Sequence, residues 1–266
     1  MRIEVLNVCR SEPQANDGYV QKAIEFLSDG GFEAQILPDY QHPEERARLF
    51  VETVSRKDVD YTWIARGGIE AAYLLPHIDF LSLKVNNTLI EASDFTHLAL
   101  PILKSGFPVL YGADARSLSL LLDESERKEI FRLLDEGIDN SHLDLLSING
   151  RKLTTEALVG GTLQILLNLL GTQYCPDLRG RNLYVEHHYI PGESYLEVKY
   201  WLNMLRLKVD MNEIGSLLVG ELIFMDGQEQ AGQDVQIDLV HEVMGDLGIP
   251  VGFLKTSHRR SLIKLG

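Results

Sequence analysis

The sequence predicts an α/β protein in which a parallel sheet is covered by helices on both faces and a second α/β segment follows. Three observations carry this. Short apolar runs alternate with helically spaced apolar positions along the first half of the chain, the pattern of strand-helix units in a parallel sheet. Two consecutive segments, 61–75 and 88–104, each read as strand, tight turn and helix. A polar, irregular stretch at 136–155 then precedes a second run of the same alternation, which predicts domains at 1–135 and 156–266 with a linker between them.

In chain order, residues 2–9 alternate and then run apolar, a strand. Residues 19–28 carry apolar positions at helical spacing and stop at Gly30-Gly31. A second strand at 34–37 is closed by Pro38, and Pro43-Glu44-Glu45 opens a helix with proline and acids in its first turn that continues to about residue 56. The two strand-turn-helix units follow, then a fifth strand at 107–112. Residues 118–135 read as one helix whose charge run, 123–129, is a solvated face. In the second half, Leu158-Val159-Gly160-Gly161 leads into an apolar helix at 163–170, stopped by Gly171-Thr172. A turn at 176–180 precedes a strand at 182–185 that ends on Glu186. Residues 195–207 form a helix with Tyr195, Val198, Trp201, Leu202 and Leu205 as core positions. A strand at 216–224, a helix at 235–247 and a strand at 249–254 follow, and the chain closes through Ser257-His258 without a further assigned element.

Composition narrows the function. With 266 residues and 45% hydrophobic content the chain can fill a proper core. Its formal net charge is -14, from 39 acidic against 25 basic residues, and no window is rich in lysine or arginine. Nucleic acid and anionic membrane surfaces are therefore excluded as expected partners. Met1-Arg2-Ile3-Glu4-Val5 enters a strand at once and no apolar run reaches membrane-spanning length, so a cytoplasmic protein is expected. Cys9 and Cys175 stand far apart, which predicts reduced thiols, and neither carries a local signature of a nucleophile.

The chemistry is concentrated at the two early turns. Turns after parallel strands gather at the carboxyl edge of the sheet, where ligand crevices form. Arg66-Gly67-Gly68 ends one strand, with backbone able to cradle an anion; Ser93-Asp94 ends the next and runs into a helix, whose first turn offers unpaired N–H groups. That setting suits a serine nucleophile and its oxyanion. The same residues also fit a plain helix cap. Dinucleotide and phosphate-loop fingerprints are absent, which leaves a flavodoxin-like nucleotide binder without its phosphate site, and no cofactor is expected. No metal is expected either: the histidines lack ligand spacing, and consecutive residues of Glu186-His187-His188 point to opposite strand faces.

The order of these pieces resembles the LD-carboxypeptidase family of serine peptidases. Asp60 to Asp79, DYTWIARGGIEAAYLLPHID, is similar to that family's strand leading into Arg-Gly-Gly-Tyr-Gly and Leu-Leu-Pro-x-Leu-Asp. Leu89-Ile90-Glu91-Ala92-Ser93-Asp94-Phe95-Thr96 resembles its nucleophile segment, Gly-Tyr-Ser-Asp-x-Thr. Gly160-Gly161-Thr162-Leu163, Leu170-Gly171-Thr172, the run from Pro176 to Glu186, and Ser257-His258 match later motifs in order. The resemblance implies a flavodoxin-like N-terminal domain, a smaller C-terminal α/β domain and a homodimer. It also implies a triad, with Ser93 as nucleophile, His258 as base and Glu186 orienting the imidazole, and an oxyanion hole from the N–H groups of Gly68 and Asp94. His97, one helical turn after Ser93, is the competing base and reads as a helix-face residue. The implied reaction is amide cleavage before a terminal D-alanine in murein peptides, or inactivation of a microcin-like peptide nucleotide.

The chain departs from the family around the substrate-lining residues Arg66, Gly67, Glu70 and Glu91. Glu91 stands where a glycine precedes the nucleophile by two, Glu70 replaces the last glycine of Arg-Gly-Gly-Tyr-Gly, and Ile69 replaces its tyrosine. Leu254-Lys255-Thr256-Ser257 replaces a small turn before the histidine, and Cys9-Arg10-Ser11-Glu12-Pro13 replaces Ala-Pro-Ser. Two added carboxylates near Ser93 disfavour a substrate with a free terminal carboxylate and favour an amine or amide, through like-charge repulsion. If both glutamates face solvent, the family substrate is expected instead. A binding protein on the same scaffold, its serine mispositioned by the crowded turn, is the alternative function.

Overall fold

Alternating apolar residues make Arg2–Leu6 a strand, β1, whose last four side chains are all buried. The structure, a computed structural model, describes residues 1–9, 18–188, 193–226 and 229–266, with Asp226 and His258 described by backbone alone. The segment 10–13, one of the departures noted above, lies outside the described residues. Two compact units emerge, one formed by 1–139 with 258–266 and the other by 140–257.

In the first unit, α1 (Gly18–Asp29) buries Val20, Ala23 and Leu27 along one stripe and stops at Gly31, whose φ of 88° only glycine adopts freely. β2 (Glu33–Ile36) and α2 (Pro43–Val54) follow, the latter opened by proline and two acids as expected. After β3 (Tyr61–Ile64), residues Ile69–His77 wind as a 3-10 helix instead of the expected α-helix. Pro76 inside it supplies no N–H and crowds the turn before it, which disfavours α geometry. β4 (Thr88–Glu91), a 3-10 turn at Ser93–Phe95, α3 (Thr96–Lys104) and β5 (Val109–Gly112) complete the strand-helix alternation. The single helix expected at 118–135 is two, α4 (Ala115–Leu120) and α5 (Glu124–Glu136). Asp123 divides them through a capping box: its carboxylate accepts from Glu126 N at 2.9 Å while Glu126 accepts from Asp123 N at 2.8 Å.

The second unit comprises β6 (Leu145–Ser147), β7 (Leu158–Thr162), α6 (Leu163–Leu169), β8 (Asn182–His187), α7 (Tyr195–Lys208) and β9 (Ser216–Leu222). A short hairpin, β10 (Met225–Asp226) and β11 (Glu229–Gln230), then α8 (Gln233–Met244) and β12 (Val251–Leu254) complete it. The last strand, β13 (Leu262–Leu265), belongs to the first unit.

The first sheet runs β2-β1-β3-β4-β5-β13, with the first five strands parallel and β13 antiparallel to β5. The parallel order 2-1-3-4-5 is the flavodoxin-like one. Ile3, Val5, Trp63, Ile90, Leu110 and Leu262 face a core shared with α1, α4 and α5. Alternation turns Ile64, Leu89 and Tyr111 to the opposite face, and Phe50 of α2 packs edge-on against Phe95 at 5.7 Å. The smaller sheet runs β6-β12-β9-β8-β7, parallel except for β6, which is antiparallel to β12.

Two segments differ from the sequence expectation. Residues 145–147, inside the stretch read as linker, pair with β12, and residues 262–265, read with the C-terminal domain, pair with β5. Both are short edge strands whose placement is decided by distant partners, so local patterning does not announce them.

Gly160 shows how tightly the second sheet is drawn together. Its φ is 147°, and a Cβ there would lie 1.7 Å from the carbonyl oxygen of Tyr184 on β8. Gly180 also has a positive φ, 69°, but opens on empty space. Gly160→Ala is expected to cost about 3 kcal/mol or more of unfolding free energy, against about 1 kcal/mol for Gly180→Ala. Urea unfolding of both variants followed by tryptophan fluorescence checks the difference, and equal midpoints would refute it.

Candidate active site

β4 delivers Ser93 to the carboxyl edge of the first sheet in an unusual conformation. Ala92 is still extended (φ -156°, ψ 164°), and Ser93 then turns to φ 61°, in the left-handed region. For a residue with a Cβ that turn costs on the order of 1–2 kcal/mol, and surrounding contacts must hold it. Ser93 N–H donates to the Tyr111 hydroxyl at 3.2 Å, and the Thr96 hydroxyl donates to the Ser93 carbonyl at 2.7 Å. Phe95 is the N-cap of α3 and makes no side-chain cap; among the described residues the Ser93 hydroxyl makes no hydrogen bond. The capping role left open by the sequence is therefore not the one Ser93 plays.

The turn after β3 lies flush against this serine. A Cβ on Gly67 would be 2.6 Å from Ser93 Cβ, 2.9 Å from the Ala92 carbonyl and 3.1 Å from Asp94 N. Position 67 thus requires glycine, and the Arg66-Gly67-Gly68 backbone borders Ser93 and Asp94. All five residues are half-buried.

The two glutamates that set this chain apart are both committed. Arg46 of α2 is buried; it donates to the Val8 carbonyl at 3.0 Å and pairs with Glu70 at 3.0 Å. Glu91, the last residue of β4, is fully buried. Glu91 is closed off from solvent, whereas Glu70 stays partly exposed beside Arg46, so the condition that both glutamates face solvent is not met. Burial pushes the Cys9 thiol well above its ordinary range, and the carboxylates of Asp94 and Glu91 push it further, ahead of the opposing Arg46. Burial thus favours the protonated thiol over the nucleophilic thiolate.

His97, the competing base, is turned toward the backbone of its own helix. Its Nδ1 donates to the Asp94 carbonyl at 2.9 Å, and burial lowers its pKa. His258 opens a 3-10 turn, His258–Arg260, immediately before β13. Because β13 is antiparallel to β5, with Leu262 opposite Gly112, its first residue sits at the carboxyl end of β5. The Ala113 N–H donates to the Ser261 carbonyl at 3.0 Å at the same place. The backbone of His258 therefore belongs to the first unit and to the sheet edge that carries Gly67 and Ser93, where the sequence expectation assigned it to the C-terminal domain. Its side chain lies outside the described residues.

Glu186 lies in the second unit, near the end of β8, fully buried. Thr162 Oγ1 donates to its Oε1 at 2.7 Å, and His188 Nε2 stands 3.0 Å from the same oxygen. His187 points the other way, into a buried group of Gln164 and Glu193, with Nε2 2.9 Å from Glu193 Oε2. Burial lowers the His187 pKa. No group of three or more potential metal ligands occurs among the described residues. Sequence reasoning missed Tyr111, Arg46 and His188. Only His188 had a usable signal, since residues two apart on a strand share a face.

Comparison with known proteins agrees with this architecture. Residues 3–112 match the model of the LD-carboxypeptidase N-terminal domain, and residues 156–260 match that of the LD-carboxypeptidase C-terminal domain. A Synechocystis sp. protein that bears the name of a carboxypeptidase, slr1534, is 24% identical over 248 residues, covering 87% of this chain and 78% of that one. Among solved structures, muramoyltetrapeptide carboxypeptidase from Oxalobacter formigenes superposes with a TM-score of 0.74 at 23% identity, covering 100% of this chain and 92% of the other. An MccF-like protein from Streptococcus pneumoniae in complex with AMP gives 0.82 at 19% identity, covering 100% and 94%. At these identities the likeness is one of fold. No helix among the described residues is long and apolar enough to cross a membrane. With both domain models matched in order along most of its length, the chain belongs to the LD-carboxypeptidase family.

Proposed function

We propose that this chain is a serine-type carboxypeptidase that cleaves an amide bond in a small peptide. The observation that carries the proposal is the left-handed Ser93 between β4 and α3, with Gly67 pressed against it. A strained strand-to-helix turn of this kind lifts a serine hydroxyl clear of the backbone and sets the next N–H beside it, as in hydrolase nucleophile elbows.

In this reading His258 removes the Ser93 proton as the hydroxyl attacks the scissile carbonyl. Glu186 holds the imidazole in one tautomer and stabilises the imidazolium that forms. The N–H groups of Gly68 and Asp94 receive the developing oxyanion. His258 then returns the proton to the leaving amine, and a water deprotonated by the same ring releases the acyl enzyme. The names of the structural relatives support a substrate in the range of a murein tetrapeptide or an aminoacyl nucleotide. Arg66 and Gly67 line the approach. Glu70 is offset by Arg46, while the carboxylates of Asp94 and Glu91 give this edge an acidic field. That field opposes a free terminal carboxylate and favours an amide or amine in its place.

Labelling with a fluorophosphonate probe tests the nucleophile: the wild-type chain is expected to react and Ser93→Ala to be silent. An unreactive wild-type chain would instead support a binding protein on the same scaffold. Gly67→Ala, whose Cβ must push the Ser93 turn away by about 1 Å, is expected to slow labelling roughly 10²-fold. Glu186→Gln is expected to lower turnover roughly 10³- to 10⁴-fold with little change in KM. For specificity, a tetrapeptide ending in D-alanine amide is expected to be cut faster than the free acid. Preference for the free acid would remove the role given to Glu91.

A further inference from the structure

β8 does not end regularly. Its register against β9 shifts between Val185 and His187, and such an irregularity re-aims the side chains around it. His187 is fixed within the unit. Its carbonyl accepts from Ile223 N at 3.0 Å, and its ring is held between Gln164 and Glu193, the latter taking the Trp201 indole N–H at 3.0 Å. With His187 pinned on one face, His188 emerges on the other, the face of Glu186, and its Nε2 comes within 3.0 Å of Glu186 Oε1. Thr162 Oγ1 addresses that same oxygen from β7 at 2.7 Å.

We propose that His188 is a positioning residue for the Glu186 carboxylate. Together with Thr162 it fixes Oε1 and so the orientation of the carboxylate. This rests on the hydrolase reading above but assigns a role that reading does not need. A buried carboxylate held by one hydroxyl alone can rotate about its last torsion or take up a proton. A ring nitrogen on the same oxygen restrains both, and neighbours of this kind commonly change activity 10- to 100-fold when removed.

Fluorophosphonate labelling of the full chain, resolved into maximal rate and probe affinity, provides the test. His188→Ala is expected to lower the maximal rate roughly tenfold with probe affinity unchanged. His188→Gln, which carries an amide N–H to about the place of Nε2, is expected to recover the rate to within about threefold and to remain folded if the alanine variant does not. Equal loss in both variants, or loss confined to probe affinity, overturns the proposal, as does an alanine variant as fast as wild type. If His188→Ala is as silent as Ser93→Ala while His258→Ala still labels, His188 is the base and the positioning role falls. Separately, the ring Hε1 resonance of His188 is expected to move in Glu186→Gln and to stay in Ser93→Ala. No movement overturns the pairing itself. Should the wild type never react with the probe, the hydrolase reading fails and the positioning role with it, a result recognised because the resonance shift persists.

Discussion

One backbone contact constrains the first unit around its site: the turn after β3 meets the turn after β4 at Gly67 and Ser93, closer than any side chain at 67 would allow. Adjacent parallel strands set the two turns side by side, and the left-handed serine closes the remaining gap. Each feature explains the other. A Cβ at position 67 would collide with Ser93 Cβ and the Ala92 carbonyl, so the glycine and the left-handed turn occur together. The cost of about 1–2 kcal/mol is small beside the packing that supports it. Phe95 directly after the turn is fully buried against Phe50, and the Tyr111 hydroxyl on β5 takes up the Ser93 N–H.

The antiparallel β13 extends this logic to the end of the chain. A parallel strand at the sheet edge, as β5 would be alone, leaves donors and acceptors exposed, and Leu262–Leu265 cover them by pairing Leu262 with Gly112 through Leu265 with Val109. Antiparallel direction is what brings residue 258 to the carboxyl end of β5. A parallel strand in that place would begin at the opposite edge. The strand that protects the sheet also delivers the histidine.

How much of this was legible follows from how local each feature is. The strand-turn-helix units around Gly67 and Ser93 depend on neighbours within a dozen residues, and alternation, glycine and the switch to helical spacing announce them. The 3-10 geometry at Ile69–His77 was hidden because apolar spacing does not distinguish it from an α-helix, although Pro76 was a visible warning. Leu262–Leu265 and Leu145–Ser147 were not legible as strands, because four and three residues carry too little pattern and their partners lie far along the chain. The burial of Glu91 and the Arg46–Glu70 pair were beyond local reading for the same reason. Glu186 as a strand-end residue was readable, but its partners Thr162 and His188 required the pairing of β7 with β8 and the irregular end of β8.

Two buried glutamates show how surroundings separate a structural carboxylate from one suited to chemistry. Glu4, fully buried on β1, accepts from Gln35 at 3.0 and 2.9 Å and from Arg56 at 3.0 Å, and lies 3.1 Å from Arg2. Two permanent cations and an amide compensate its charge, and a carboxylate so held has little field left to offer. Glu186 is buried to the same degree, but its described partners on Oε1 are a neutral hydroxyl and an imidazole. A hydroxyl satisfies a lone pair without cancelling charge, and an imidazole carries charge only when protonated. In the role proposed above, these two neighbours would keep the carboxylate oriented without themselves cancelling its charge. Replacing either neighbour by arginine would make the carboxylate more secure and, in the role proposed for it, less useful.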